Sequence, residues 1–386
     1  IHRFVHDRLD EPGEPGFAQQ FARRYQDKLS SSAMLATDLY LTVLVRPELK
    51  TSQLPHQGCA ALDARQALRQ RTLKELDDLT ALAEDLDFDS VWTLDRIIVP
   101  ETSDHENLTY PFGMMSDLPK SLPVISRGEW FQGMPLIPYL AAKTTKVRLG
   151  MSIIDTPYRS PGVLAAELAT QDHLAGGRLN VGVGSGWMPE EFAAASVTHL
   201  FKRRHGHVRE TLEIMQGVWT EELFEYHGEF ADFELSGFGH KPDQKPGPPI
   251  YFSGLKDPKR SAKRIAKYGL QGWIGIQDSP EDIAHWKGEM ERELGELGRG
   301  FPEGFDMCSM IWFVITDEPM DQSDAGKATN LLAGNAQQIE DRLKRYKEAG
   351  LTMPFLWPPF RDVPTSKTLD DLKRLTEEIM PKVNAI

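Results

Sequence analysis

The chain has 386 residues, a formal net charge of −13, 40% hydrophobic and 26% charged residues, and two cysteines, Cys59 and Cys308. The acidic balance argues against a duplex-binding face, two cysteines without a CxxC spacing argue against a disulfide framework or thiolate metal site, and no apolar run reaches the roughly 18 residues of a bilayer span. A reducing cytoplasm, with neither nucleic acid nor membrane as partner, is expected; the opening Ile1-His2-Arg3-Phe4-Val5-His6 has no signal-peptide core and no initiator Met, as in a fragment or a processed product.

Residues 1–75 differ in character from the rest, and within them 39–45 (LYLTVLV) is a candidate first strand, followed by a helical stretch at about 64–86. After residue 76, short apolar runs recur at 88–94, 147–154, 179–184, 249–253, 272–276, 307–316 and 353–357. They are continuous rather than alternating, as in parallel strands covered on both faces. Between them lie amphipathic helices: Val208, Leu212, Met215 and Trp219 share one face, as do Ile339, Leu343 and Tyr346, and Leu369, Leu372 and Ile379. Ser160-Pro161, Asp257-Pro258 and Ser279-Pro280 each set a capping side chain before a proline at the first helical position. Gly176-Gly177, Gly269 and Gly350 suit the left-handed residue that closes a helix.

Strand, capped helix, glycine, strand is the βα unit, and its repetition predicts an α/β fold, a (β/α)8 TIM-like barrel over residues 76–386. Eight units close a barrel and seven do not, so 39–45 is the candidate for the missing strand. The long segments 96–131 and 221–247 are expected after strands, as insertions at the C-terminal face where barrel active sites sit. The basic runs Lys202-Arg203-Arg204 and Lys256 to Arg264 read as solvated helix faces.

Chemistry concentrates at strand ends. In Gly182-Val183-Gly184-Ser185-Gly186-Trp187-Met188-Pro189 a strand runs into glycines and then a helix, so that free amides and the Ser185 hydroxyl can approach a phosphate. A tight turn without any ligand explains the same pattern. Phe252-Ser253-Gly254 offers similar chemistry on the next strand, and the two turns could share one phosphate. Asp95-Arg96 and the segment Ser152 to Arg159 (SIIDTPYR) also follow strands; in the plainer reading Asp95 caps a loop and Arg159 pairs with a surface carboxylate. HExxH and GxSxG are both absent, so neither a zinc site nor an acyl-transfer serine is expected. Trp219 is expected in the core.

The run VRLGMSIIDTPYRSPGVLAAELATQDHLAGGRLNVGVGSGWMPEEF (147–192), with ALAEDLDFDSVWTLD (81–95), FKRRHGHVRETLEIMQGVWTEE (201–222), KPGPPIYFSG (245–254) and LAGNAQQIEDRLKRYKEAG (332–350), resembles the bacterial luciferase-like monooxygenase superfamily, particularly its deazaflavin-dependent branch. The resemblance implies an oxidoreductase using FMN or an 8-hydroxy-5-deazaflavin coenzyme of the F-420 type. A small organic substrate, a flavin reductase and a homo-oligomer are the partners it allows. It places the cofactor phosphate on the turns at Ser185-Gly186 and Ser253-Gly254, with Gly184 and Trp187 also binding the cofactor, and a non-proline cis peptide at Ser152-Ile153 behind the ring. Asp95 matches a pocket aspartate. Arg96 stands where related dehydrogenases often carry a histidine, and a guanidinium gives up no proton. Held by Asp95, it is expected to supply charge to an anionic cofactor or substrate. Residues 15–49 are similar instead to the N-terminal region of type IV secretion and conjugation ATPases, which suggests a fusion. A non-catalytic barrel, or a secretion-machinery interaction module, are the alternative functions.

Overall fold

In the computed structural model, which describes residues 39–42, 73–98, 131–253, 257–276, 278–320, 331–357 and 365–385, all seven apolar runs form strands. The first half contains β1 (Leu39–Thr42), α1 (Leu73–Asp85), β2 (Ser90–Thr93), α2 (Gly133–Ala141), β3 (Arg148–Asp155), α3 (Pro161–Leu174), β4 (Leu179–Gly184), α4 (Pro189–Ala194) and α5 (Arg204–Thr220). The second contains the hairpin β5 (Phe224–His227) and β6 (Asp232–Ser236), then β7 (Ile250–Phe252), α6 (Pro258–Tyr268), β8 (Gly272–Ile276) and α7 (Pro280–Glu296). It closes with β9 (Asp306–Ile315), β10 (Leu331–Gly334), α8 (Ala336–Glu348), β11 (Met353–Trp357), α9 (Thr365–Arg374) and, after a π turn, α10 (Met380–Asn384).

Parallel ladders join β2, β3, β4, β7, β8, β9 and β11 in a curled sheet, and β1 bridges β11 to β2, so the pairings return on themselves. The interior is packed solid. Trp92 of β2 meets Tyr251 of β7 edge-on at 5.1 Å and Phe355 of β11 at 4.8 Å, contacts between strands that do not adjoin. Gly150 makes room for that indole, since a Cβ there would lie 2.3 Å from it. The outer helices seat their predicted faces: Val208, Leu212, Met215 and Trp219 are all buried, and the Trp219 indole donates to the Ala165 carbonyl at 2.9 Å. Asp257 and Ser279 cap α6 and α7 through their side chains, whereas Ser160 precedes α3 without a side-chain cap bond.

Two expectations are corrected. Leu39–Thr42 does fill the gap between β2 and β11, but it runs antiparallel to both, so the ring is not a regular (β/α)8. An antiparallel ladder satisfies the exposed edge groups of its neighbours as a parallel one does, and closure alone does not dictate direction. Residues 43–45 of that run lie outside the described residues.

The segment 221–247 is not an insertion after a strand. It follows α5, and its hairpin lies along the outer side of that helix, where Phe224 faces Gly217, Tyr226 bonds Glu213 at 2.6 Å and Glu210 accepts from the amides of Glu229 and Phe230. Most of 96–131 lies outside the described residues. Among those described, no helix is long and apolar enough to cross a membrane.

Candidate functional site

The C-terminal ends of β2, β3, β4 and β7 adjoin through successive parallel ladders, and the side chains beyond them form one buried polar cluster. Asp95, just past β2, accepts from both terminal nitrogens of Arg159 at 2.5 and 2.8 Å and from the Asp155 amide at 3.1 Å. Arg96 points elsewhere. Its guanidinium pairs with Glu191 at 3.0 Å and lies 5.4 Å from the centre of the Trp187 ring. Glu191 further accepts from the Ile97 amide at 2.9 Å and the Tyr158 hydroxyl at 3.2 Å. The expected Asp95–Arg96 pair is therefore replaced by two crossed pairs, Asp95–Arg159 and Arg96–Glu191. Adjacent residues in an extended segment project to opposite sides, so one carboxylate cannot readily hold the guanidinium next to it in sequence. Arg159 finds a buried carboxylate, not a surface one.

Three carboxyls, two guanidiniums and a phenol thus share a site largely closed to water. Burial, followed by the Glu191 and Asp95 carboxylates, pushes the Asp155 carboxyl well above the ordinary range. Burial also raises Glu191, against the pull of Arg96, and raises the Tyr158 phenol. Of Asp155 and Glu191, Asp155 is the better holder of a proton, because carboxylate neighbours reinforce its burial.

One amide of the glycine turn is not free, as it was expected to be. Gly186 donates its N–H to Asp155 Oδ1 at 2.8 Å, and its φ is +69°. A Cβ there would lie 2.8 Å from Phe192 and 3.0 Å from the Tyr158 hydroxyl; at Gly184 it would lie 1.9 Å from Ile153. These glycines are demanded by the packing of the turn itself. The hydroxyls of Ser185 and Ser253 have no side-chain hydrogen-bond partner among the described residues, and Val183 pairs with Phe252, which sets Ser253 level with Gly184, one residue short of Ser185. One strand away, the buried Ser152 Oγ is also without a partner, and the Ser152–Ile153 peptide is cis, as the resemblance implies. Gly254 lies outside the described residues. Three hydroxyls without a side-chain partner among the described residues, on or just past three successively paired strands, suit a ligand with a polar ring edge and a phosphate.

Sequence reading missed Asp155, Tyr158 and Glu191. Glu191 sits in the first turn of α4, where an acidic residue is ordinarily explained by the helix dipole, and nothing local announces that it crosses to Arg96. A hollow of about 530 Å³, lined by Pro189, Thr198, His199, Phe201, Lys202 and Arg203, lies beside this cluster near the start of α5. On the exposed side of the hairpin, Glu225, His227 and Glu234 approach within 4.8 Å of one another, away from the strand ends, with His227 also tied to Asp232 at 2.7 Å.

Comparison with known proteins places this architecture. The family model for luciferase-like monooxygenases matches residues 53–325. An uncharacterized protein of Mycobacterium tuberculosis is 25% identical over 284 residues, covering 72% of this chain and 88% of that one. The FMNH2-dependent dimethylsulfone monooxygenase of Pseudomonas putida is 27% identical over 259 residues, covering 55% of this chain and 70% of that one. Among solved structures, a monooxygenase of Streptomyces bottropensis superposes with a TM-score of 0.63 at 19% identity, over 82% of this chain and 95% of that one. An F420-dependent secondary alcohol dehydrogenase superposes with a TM-score of 0.61 at 19% identity, over 81% and 96%.

Proposed function

Because the chain belongs to the luciferase-like monooxygenase family, we propose that it is a flavin- or deazaflavin-dependent oxidoreductase acting on a small organic substrate. The observation that carries the assignment to this pole of the barrel is the set of Ser152, Ser185 and Ser253 hydroxyls, without a side-chain partner among the described residues, beside the buried Asp95–Arg159 and Arg96–Glu191 pairs.

In this reading Ser152 and Ile153 back the ring, while Ser185 and Ser253 hold the phosphate by their hydroxyls. Gly184 and Gly186 shape the turn after β4, and Trp187 walls the site. When bound, the cofactor supplies two electrons, with oxygen as co-substrate if it is reduced FMN and as hydride if it is a deazaflavin. Asp95 and Arg96 act on charge: Arg96, fixed by Glu191 and by its stacking on Trp187, offers a permanent cation to an anionic ring or substrate. Asp155 is the group suited to carry a proton, with Gly186 N–H fixing one of its oxygens. The barrel wall supplies orientation and excludes water.

Titration with FMN, riboflavin and a deazaflavin, read by quenching of ring fluorescence, tests the proposal. Saturable quenching by a phosphorylated ring, weakened when its phosphate is absent, is the expected result. Absence of quenching by every ring would refute it.

A further inference from the structure

The basic residues that read as solvated helix faces include a group on two helices, in which Arg204 and Arg264 are half-buried and Arg260 is exposed. Helices α5 and α6 descend side by side from the pole that carries the polar cluster. Their alignment is fixed by Glu213, which accepts from Lys267 at 2.6 Å and from the Tyr268 hydroxyl at 3.0 Å, and by Gln216, which donates to the Tyr268 carbonyl at 2.7 Å. About two turns back toward both N-termini, that alignment brings Arg204 and His205 of α5 opposite Arg260 and Arg264 of α6.

Arg264 lies 4.3 Å from the centre of the Phe252 ring, one residue before Ser253. Arg204 stacks on Phe201 at 4.5 Å and donates to its carbonyl at 2.6 Å. Arg260 is paired with Asp257 at 3.3 Å, but no carboxylate among the described residues forms an ion pair with Arg204 or Arg264. The Arg204 Nε and His205 Nδ1 atoms are buried and have no hydrogen-bond partner. Burial, and then the guanidiniums of Arg204, Arg260 and Arg264, lower His205 to about 4, so it stays neutral and leaves the positive charge to the arginines. Three guanidiniums and two helix N-termini gathered without a matching set of carboxylates make a site for an anion.

The site's place in the fold says which anion. Ser185 and Ser253 stand at strand ends, in the inner ring, whereas Arg204 and Arg264 belong to the outer ring of helices. Arg264 lies on the ring of Phe252, the residue before Ser253, so a ligand that continued past a phosphate on that serine would meet this cluster. FMN ends at its phosphate. A deazaflavin coenzyme of the F-420 type continues through a phosphodiester into a chain of carboxylates.

We propose that the basic cluster formed by Arg204, His205, Arg260 and Arg264 binds the carboxylate tail of a phosphodiester deazaflavin coenzyme, beyond the phosphate held by the strand-end serines. The proposal rests on the cofactor reading above and narrows it to one of its two cofactors.

The test compares FMN, the deazaflavin alcohol that lacks phosphate and tail, and the glutamylated coenzyme. Dissociation constants come from fluorescence quenching, for the wild type and for the double variant Arg204→Gln/Arg264→Gln. The wild type is expected to bind the glutamylated coenzyme at least about tenfold more tightly than FMN, and the double variant to lose about tenfold or more on that coenzyme while FMN changes less than about twofold. In wild-type protein alone, rising salt should weaken the tailed coenzyme more steeply than FMN, a comparison that stands if the variant does not fold. Equal losses on FMN and coenzyme, or parallel salt dependences, would overturn the tail site while leaving the cofactor reading intact. Failure of all three rings to bind would overturn both.

Discussion

Replacing Arg96 by methionine keeps much of the side chain's bulk and removes the charge facing Glu191. The pair is 3.0 Å apart, with side chains 7% and 0% exposed. At that distance and an effective dielectric near 20 the attraction is about 5 kcal/mol, and breaking a buried pair typically costs about 3–5 kcal/mol. Glu191 keeps its bonds from the Ile97 amide and the Tyr158 hydroxyl, so the lower end applies, about 3 kcal/mol near pH 8. The sign of the pH dependence follows from Glu191. Burial already raises its carboxyl above the ordinary 4.5, and loss of the guanidinium raises it further. The folded variant then holds a proton that the unfolded chain has released, so its stability falls as pH rises through the folded value. Urea midpoints of wild type and variant, taken at about pH 5 and about pH 8, measure this, and the deficit should shrink clearly at the lower pH. Pairing the change with Glu191→Gln should recover most of the loss. A deficit of the same size at both pH values, or one under about 1 kcal/mol, would refute the buried-pair account.

Gly186→Ala should destabilise the fold before it touches ligand binding: the left-handed φ costs about 1–2 kcal/mol and the 2.8 Å approach to Phe192 adds overpacking of about 1 kcal/mol or more, so the melting temperature should fall in the absence of any cofactor. This reverses the simpler expectation, drawn from the glycine motif, that a substitution there acts mainly through the phosphate. Ser185→Ala with Ser253→Ala should raise the dissociation constant for FMN by about tenfold and leave that for riboflavin nearly unchanged; calorimetric titration distinguishes this from a general loss. A chain beginning at residue 36 should melt as the full chain does, whereas one beginning at residue 51 loses β1, leaves β2 and β11 without their shared neighbour and should lose its cooperative melt.

Strands covered on both faces wrote themselves into the sequence as unbroken apolar runs, and each of the seven after residue 76 became a strand. Helix faces were equally legible, because a 3.6-residue period records burial directly. What stayed hidden depends on long-range geometry. The hairpin of β5 and β6 was obscured by glycines and prolines around short, half-exposed strands, and only its contacts with Gly217 and Glu210 show that it clads a helix. At the site, the strand-end positions could be named, but the pairing of charges could not: Arg96 meets a carboxylate 95 residues away, and Asp95 one guanidinium 64 residues away. The glycines of the turn looked like a ligand's cradle, yet Ile153 and Phe192 are what occupy the space a side chain would need.

The reversed direction of β1 has its own consequence for how the mouth is assembled. Leu39 lies beside Thr93 and Thr42 beside Ser90, so the chain enters this strand at the reactive pole and leaves it at the opposite one. Every parallel strand of the ring runs toward the mouth; this one runs away from it. Leu39 is therefore the end of this strand nearest Asp95 and Arg96, and Thr42 the end farthest from them.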